Sequence, residues 1–345
     1  MLAVAVKQPG KLEIVDIPRP QPGPYEVLIR TEAACLCNAT DRKLVDGHFP
    51  GVDRYPLLLG HESAGIVEEA GAKVRSFKLG ERVIGGLILN PTDPAYASGW
   101  GGFCEYTLAG DHPAMLADGV ADPAHGYADV YEIMRMVPKE IPVESAVLLC
   151  TWREVYAAFS DFNLRSGQNI LIFGAGPVGL SFVKFARLRG LGYIGVMEIS
   201  DEKRRIALQM GADEAFAPDP EGMAAVYGKW KGGLDAVIDA VGKEAIINSS
   251  LPLVKNGSSI CVYGVIDQPI VSLHKIYGPY NFNLLVHQWP TRSLESAAQE
   301  PLCEWIRQGK LHHSEFLSAE YPLARVEEAF AGARTGRPIK TLLRY

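Results

Sequence analysis

The chain has 345 residues, of which 48% are hydrophobic and 21% charged, and its formal net charge at pH 7 is -6. This length is too great for one ordinary core and predicts two domains, or one domain inserted into another. Because the balance is acidic and no long basic run occurs, the composition argues against nucleic acid or an anionic membrane as partner and favours a small molecule.

Cellular location and cysteine state follow from two further features of the sequence. The first 30 residues show no charged segment followed by an apolar one, and no apolar run reaches about 18 residues, so we expect a cytoplasmic protein. Six cysteines are scattered over the chain. In that setting they predict free thiols for packing, metal binding or reactivity rather than disulfides.

The pattern of predicted secondary structure changes along the chain. Up to about residue 82, short Val/Ile-rich runs alternate with Gly and Pro, which predicts a β-barrel. Residues 90–138 have no clear period over most of their length and predict a functional loop or an irregular excursion. After Pro142, helix and strand patterns alternate (VESAVLLCTWREVYAAFSDF, NILIFG, PVGLSFVKFARLRG), which predicts a parallel sheet with crossover helices. Two helical pieces and a last strand, PIKTLLRY, end the chain.

A dinucleotide site is predicted where the strand NILIF runs into a glycine-rich turn and then a helix. Its residues fit G-x-G-x-x-G: Gly174, Gly176, Pro177, Val178 and Gly179. The glycines allow a tight turn, close approach of a pyrophosphate and close helix packing, and the helix N-terminus faces the phosphates.

Glu198 closes the next strand and predicts the choice of cofactor. Its carboxylate can accept hydrogen bonds from the adenosine ribose hydroxyls and would repel a 2'-phosphate, so NAD is predicted over NADP. Lys203 and Arg204 follow closely and leave service to a 2'-phosphate open as an alternative.

The run from Gly60 to Val83, GHESAGIVEEAGAKVRSFKLGERV, places His61 and Glu62 before short strands punctuated by glycines. It resembles, nearly position for position, the zinc signature of the medium-chain alcohol and polyol dehydrogenases, G-H-E-x-x-G followed by spaced glycines and a G-[DE]-x-V turn. The resemblance extends along most of the chain. It implies an α/β protein with a GroES-like catalytic domain (residues 1–152 and 276–345) around a Rossmann NAD-binding domain (residues 153–275).

The resemblance also implies one catalytic zinc per chain, held by Cys37, His61 and Cys150 with one open position. Two alternatives stay open: Cys35 in place of Cys37, and Glu154, one helical turn beyond Cys150, in place of that cysteine. The second, structural zinc of many relatives needs four closely spaced cysteines after the G-[DE]-x-V turn. Only Cys104 lies in that region, so this zinc is expected to be absent.

Four further residues take roles from the resemblance. Thr40 would accept the substrate proton and Asp41 would orient His61, although this chain has one residue more than the usual C-x-[ST]-D spacing. Glu62 would bind the metal during turnover or form a salt bridge to a basic residue. Lys340 would lie near the cofactor phosphates or on the surface.

The predicted function is hydride transfer between NAD and a secondary alcohol of a polyol, sugar or cyclitol, in a homodimer or homotetramer. Aromatic side chains that can stack on a sugar face support this substrate class: Trp100, Trp152, His287 and Trp289. The alternatives are a zinc-free quinone or enoyl reductase of the same superfamily and a non-enzymatic dinucleotide-binding protein.

Overall fold

The structure is a computed structural model that describes residues 1–266 and 268–345. It divides into two compact units, unit 1 (residues 1–151 and 299–345) and unit 2 (residues 152–298). The second boundary lies after residue 298 rather than after residue 275 as predicted, because the stretch between them contributes a strand to the sheet of unit 2.

The described strands are β1 (Leu2–Gln8), β2 (Lys11–Asp16), β3 (Glu26–Leu36), β4 (Leu57–Leu58), β5 (Ser63–Ala70), β6 (Arg82–Ile84), β7 (Ala97–Ser98), β8 (Tyr106–Gly110), β9 (Arg135–Val137), β10 (Ile170–Phe173), β11 (Ile194–Met197), β12 (Glu214–Phe216), β13 (Leu234–Asp239), β14 (Val254–Val262), β15 (Asn283–Val286), β16 (Leu317–Pro322) and β17 (Lys340–Arg344).

The described α-helices are α1 (Thr40–Asp46), α2 (His112–Ala117), α3 (Val143–Asp161), α4 (Pro177–Leu188), α5 (Asp201–Met210), α6 (Pro220–Trp230), α7 (Glu244–Ser250), α8 (Arg292–Ala297), α9 (Gln299–Arg307) and α10 (Val326–Arg334). Short 3-10 helices cover Pro123–His125, Asp129–Ile133, Lys275–Tyr277, His313–Glu315 and Leu323–Arg325. No helix in the described ranges has both the length and the hydrophobicity needed to cross a bilayer.

Unit 1 is built around the long strand β3. The larger sheet has the order β16-β17-β3-β5-β6-β9, with β8 also paired to β3, and a smaller sheet has the order β2-β1-β4-β7. Buried aliphatic and aromatic side chains fill the space beside the sheets, among them Val27, Ile29, Val67, Val83 and Leu87 in one cluster and Val4, Leu36, Leu44, Leu57 and Phe103 in another.

The stretch 90–138 is less irregular than the sequence predicted. β7 pairs with β4 in the smaller sheet. In the larger sheet, β8 pairs with β3 and β9 pairs with β6. Between them, Met115, Tyr131 and Met134 are buried in the core of unit 1. These apolar residues lie on separate short segments, so the sequence shows no regular spacing of apolar residues typical of a helix or a strand.

Unit 2 is a parallel sheet with the strand order β12-β11-β10-β13-β14-β15. Its central strands are continuous apolar runs, as expected for strands covered on both faces. β10 is completely buried and pairs with β11 on one side and β13 on the other. The chain reverses its direction of strand addition at β10, and in such sheets ligands bind beyond the carboxyl ends of the strands at this point.

Candidate metal centre and cofactor site

Strand pairing in unit 1 brings two distant sequence segments together. Ala34 of β3 pairs with Ser63 of β5, and the Cys35 amide donates to the Glu62 carbonyl at 2.9 Å. Cys37 directly follows β3 and His61 lies two residues before β5, so the end of one strand brings the thiol close to the start of the other. Gly60 has φ +103° and a Cβ there would overlap the Phe103 ring, which explains the glycine before His61.

Within the described residues, the His, Cys, Asp and Glu side chains that could share one metal ion are Cys37, His61 and Glu62, whose ligand atoms all lie within 4.8 Å of one another. Burial alone would raise the pKa of the Cys37 thiol, but the adjacent imidazole outweighs it and the pKa is lowered. Burial likewise opposes the charged form of His61, but Asp41 and Cys37 raise its pKa well above the usual value. The thiolate and the imidazolium therefore stabilise each other, and a metal would bind the thiolate and displace the proton of the imidazole.

Asp41 connects this pair from behind. It is fully buried at the start of α1, and its Oδ1 lies 3.1 Å from His61 Nδ1. Its Oδ2 accepts the Cys37 backbone N–H at 2.8 Å. A carboxylate on one imidazole nitrogen leaves Nε2 for a metal, and a soft thiol with an imidazole is a donor pair that suits zinc. The donor chemistry therefore fits the ion that the sequence predicts.

Cys35, the alternative to Cys37, and Cys150, the predicted third ligand, differ in their surroundings. Cys35 is fully buried inside β3, and burial raises the pKa of its thiol well above the usual value, so it packs as a neutral side chain. Cys150 is 8% exposed on α3, and its Sγ lies 3.8 Å from the Ser63 carbonyl, next to the His61–Glu62 segment. It lies beside the cluster and is not one of the three residues whose ligand atoms all lie within 4.8 Å of one another.

Glu62 forms a buried polar network that the sequence only partly predicted. Lys340 Nζ lies 2.6 Å from Glu62 Oε1 and donates to Thr151 Oγ1 at 2.9 Å, while Thr151 Oγ1 donates to Glu62 Oε2 at 2.9 Å. The side chain of Lys340 is 2% exposed, so the surface location considered for it is wrong. The salt bridge considered for Glu62 exists, and its partner is Lys340.

Pairing of β17 explains why Lys340 lies there. Thr341 pairs with Leu36 of β3, so Lys340 falls beside the position that follows the strand, next to Cys37. Burial disfavours the charged ammonium, but Glu62 and the nearby thiols raise the pKa of Lys340. Thr151 was not identified from the sequence. It directly follows Cys150, and that adjacency was the one available signal.

The structure also places the predicted proton acceptor and the four side chains of the predicted aromatic pocket. Thr40 is buried at the first position of α1, beside Asp41. The Trp100 ring lies 5.5 Å from the His61 ring, centroid to centroid. Trp152 is completely buried, which excludes it from an open pocket wall, and His287 in unit 2 contacts the Phe162 ring. Trp289 also belongs to unit 2 and is 49% exposed.

The glycine-rich turn of unit 2 has the geometry that the sequence predicted. Gly174 follows β10 with φ +94°, Gly176 precedes the first residue of α4, and Pro177 occupies that first position, where its missing N–H costs nothing. A Cβ on Gly179 would collide with the Gly174 carbonyl, so close packing of helix on turn requires this glycine. Val178 lies in the first turn of α4, where backbone N–H groups have no partner within the helix and are of the kind that bind anions.

Glu198 lies at the carboxyl end of β11 and is 8% exposed. Its Oε2 accepts the Ala175 N–H at 2.7 Å and its Oε1 accepts the Ser200 N–H at 2.8 Å. Arg204, one of the two alternative partners for a 2'-phosphate beside Lys203, is ion-paired with Asp201 and donates to the Glu198 carbonyl. The carboxylate thus holds the glycine-rich turn in addition to the ribose role predicted for it.

Known proteins match both units. Residues 23–119 match the alcohol dehydrogenase GroES-like domain, and residues 177–288 match the zinc-binding dehydrogenase family. An alcohol dehydrogenase of Geobacillus stearothermophilus is 32% identical over 74% of this chain and 74% of its own length. An L-threonine 3-dehydrogenase of Cutibacterium acnes is 26% identical over 98% and 96%, respectively.

A solved structure from E. coli CFT073, described as a short chain alcohol dehydrogenase complexed with NADH, has the same fold. Its TM-score is 0.80 at 19% identity, over 100% of this chain and 99% of that chain. With the family models and the Geobacillus relative, the assignment is clear: the chain belongs to the zinc-dependent medium-chain dehydrogenase/reductase superfamily.

Proposed function

We propose that this protein oxidises a secondary alcohol of a polyol, sugar or cyclitol with NAD, and catalyses the reverse reduction, at a zinc site formed by Cys37, His61 and Cys150. The observation that carries the proposal is the Cys37–His61 pair with Asp41 behind it, in a chain of this superfamily. One thiol, one imidazole and a second nearby thiol make a three-ligand set with an open position, as in catalytic zinc sites.

A zinc ion in this site would polarise the substrate hydroxyl as a Lewis acid, and a bound nicotinamide would take the hydride. The protein residues position these groups and move the proton. Asp41 holds the imidazole and the Cys37 backbone in place, and Thr40 is the proposed acceptor of the substrate hydroxyl proton. Glu62, paired with Lys340 and Thr151, supplies a second carboxylate 3.8 Å from His61 Nε2 that can approach the metal if the lysine contact is released.

The cofactor half of the proposal rests on the glycine-rich turn and on Glu198. The first turn of α4 offers N–H groups to a pyrophosphate, and a carboxylate at the end of β11 suits free ribose hydroxyls. The ion pair of Arg204 with Asp201 supports NAD over NADP, because that guanidinium already has an acidic partner. We assign Gly174, Gly176, Pro177, Val178, Gly179 and Glu198 to cofactor binding. Lys340, predicted to lie near the phosphates, is proposed to act through Glu62.

The test combines metal analysis with turnover. The purified protein is expected to contain about one zinc per chain and to reduce NAD with members of a polyol, sugar and cyclitol panel. Cys37→Ser and His61→Ala should lose zinc and activity together while NADH binding to unit 2 persists. Two tightly held zinc ions per chain, or full activity after zinc removal, would contradict the proposal, the latter in favour of a zinc-free reductase.

The third ligand can be tested by a matched pair of variants on α3. Cys150→Ala is expected to abolish zinc retention, because a thiolate bonds zinc strongly and Cys150 lies against the Ser63 carbonyl beside the cluster. Glu154→Ala should keep zinc, since the Tyr263 hydroxyl lies 3.5 Å from the Glu154 carboxylate within unit 2. Zinc lost in Glu154→Ala and kept in Cys150→Ala would move the third ligand to Glu154.

A further inference from the structure

The backbone at Trp100 adopts a conformation that a bulky residue rarely takes. Its φ is +69°, in the left-handed region, and it lies between Gly99 and Gly101 in the sequence GWGG. Strained backbone of this kind persists only where the surroundings determine it, and it concentrates at functional sites.

Hydrogen bonds fix the turn that carries Trp100. Its N–H donates to Ser98 Oγ at 3.1 Å, and that hydroxyl donates to the Ile88 carbonyl at 2.7 Å. The Ile88 N–H donates back to the Trp100 carbonyl at 2.8 Å. The Gly102 N–H donates to the Gly60 carbonyl at 2.6 Å, which ties the turn to the residue before His61. The position of the indole is therefore coupled to the position of His61.

Two aromatic rings contact the indole, which also packs against both core clusters of unit 1. The Phe49 ring lies 5.5 Å away at an interplanar angle of 86°, and the His61 ring lies 5.5 Å away at 62°. Both are edge-to-face arrangements, which aromatic pairs prefer. Phe49 supports the indole from within unit 1, and the half-buried indole borders the imidazole that is proposed to hold zinc.

We propose that Trp100 determines substrate specificity by selecting alcohols whose hydroxyl-bearing carbon belongs to a saturated ring. This inference rests on the proposed function. A ring presents one continuous C–H face that can lie on a flat indole, where positively polarised hydrogens meet the negative face of the π-system. An open chain must freeze several torsions to cover the same surface and loses conformational entropy. One cyclic substrate would then place its hydroxyl near His61 and its ring face on the Trp100 indole.

The test compares trans-1,2-cyclohexanediol with 2,3-hexanediol, two vicinal diols of six carbons. The wild type is expected to prefer the cyclic diol in kcat/KM, and Trp100→Ala to lower that preference by about tenfold or more, since loss of apolar contact of this size discriminates on that scale. Trp100→Phe should restore most of the preference. Tyr106→Ala, which removes a ring stacked on Arg19 elsewhere in unit 1, is the control and should leave the ratio unchanged.

A binding measurement separates failure of this inference from failure of the proposed function. Calorimetric titration of the zinc-loaded protein with each diol should show the same loss of cyclic preference in Trp100→Ala, with zinc content unchanged. Equal losses for both diols, or a wild type that favours the open chain, would overturn the role of Trp100. A wild type that binds the cyclic diol through Trp100 but oxidises no alcohol would overturn the proposed function alone.

Discussion

Asp41 contacts both Cys37 and His61 and so determines the geometry of the candidate metal centre. One of its oxygens faces His61 Nδ1 and the other accepts the Cys37 N–H, so a single carboxylate positions both donors. It is fully buried, and water cannot replace it. Residues of this kind tune metal sites through the orientation and basicity of the ligands they contact.

Asp41→Asn should therefore lower zinc affinity by about 10–100-fold while leaving the fold intact, because the amide keeps the shape and loses the charge. Chelator competition on the purified variant measures the affinity. The matched control is Asp46→Asn on the same helix, whose carboxylate pairs with Arg334 and Arg42 at the surface. Equal zinc affinity in wild type and Asp41→Asn would show that His61 needs no carboxylate partner.

At the scale of elements, the turn between β10 and α4 depends on a side chain from the next strand. Glu198 holds the Ala175 N–H and the Ser200 N–H, one with each oxygen. Removing this side chain thus changes both the charge near the ribose and the support of the turn. The two effects can be separated by choosing the substitution.

Glu198→Gln removes the charge and keeps an acceptor, so it should shift cofactor preference toward NADP. Glu198→Ala also frees the Ala175 N–H, so it should weaken NADH and NADPH binding together, by about 10-fold or more if the lost hydrogen bond to a charged group is worth about 1.5–3 kcal/mol. Fluorescence titration of both cofactors measures this. A wild type that binds NADPH more tightly than NADH would refute the assignment of Glu198.

Asp111 is the N-cap residue of α2 and also binds a neighbouring segment of unit 1. Its Oδ2 accepts the Arg75 and Ser76 N–H groups at 2.6 and 2.7 Å, and its Oδ1 accepts the Ala114 N–H at 3.0 Å. Burial would raise the pKa of this carboxyl, but the three N–H groups outweigh it and the pKa is lowered. The carboxylate therefore stabilises the fold above the unfolded pKa of about 3.9, and this contribution is lost as pH falls through the lower folded value.

Asp111→Ala should cost about 1–3 kcal/mol in the free energy of unfolding at pH 7, because buried N–H groups lose their acceptor. The difference from wild type should shrink as pH falls below about 4. Urea denaturation at several pH values tests this, with Asp122→Ala, an exposed cap of the short helix Pro123–His125, as the control. A difference that grows on acidification would mean that the folded pKa is raised.

How far the sequence predicted these elements depended on whether their signals are local. α4 and α5 were visible because each has apolar periodicity with a glycine at one end. The Glu62–Lys340 ion pair was not, since its members are 278 residues apart and meet only through the β17–β3 pairing. The boundary of unit 2 was placed too early for a related reason: β15 is short and largely exposed, so it lacks the continuous apolar run of the inner strands.

At the scale of the whole molecule, the exposed sheet edge of unit 2 bears on whether two chains associate. β15 ends the strand order of the described sheet, and large apolar side chains on it and just before it are exposed: Leu284 38%, Val286 51%, Ile276 86% and Tyr280 93%. Open edges with exposed apolar groups are templates for pairing with another chain, and identical edges can pair about a two-fold axis. The homodimer or homotetramer expected from the sequence would cover them.

We therefore predict that the protein is at least a dimer at micromolar concentration and that the paired change Leu284→Lys with Val286→Lys shifts it to monomer, because charged side chains block edge pairing. Analytical ultracentrifugation gives the mass. Leu79→Lys, also an exposed leucine at 65% but in unit 1, is the control and should leave the mass unchanged. If the wild type sediments as a monomer, or if the paired variant keeps the wild-type mass, β15 is not the interface and its apolar side chains have another role.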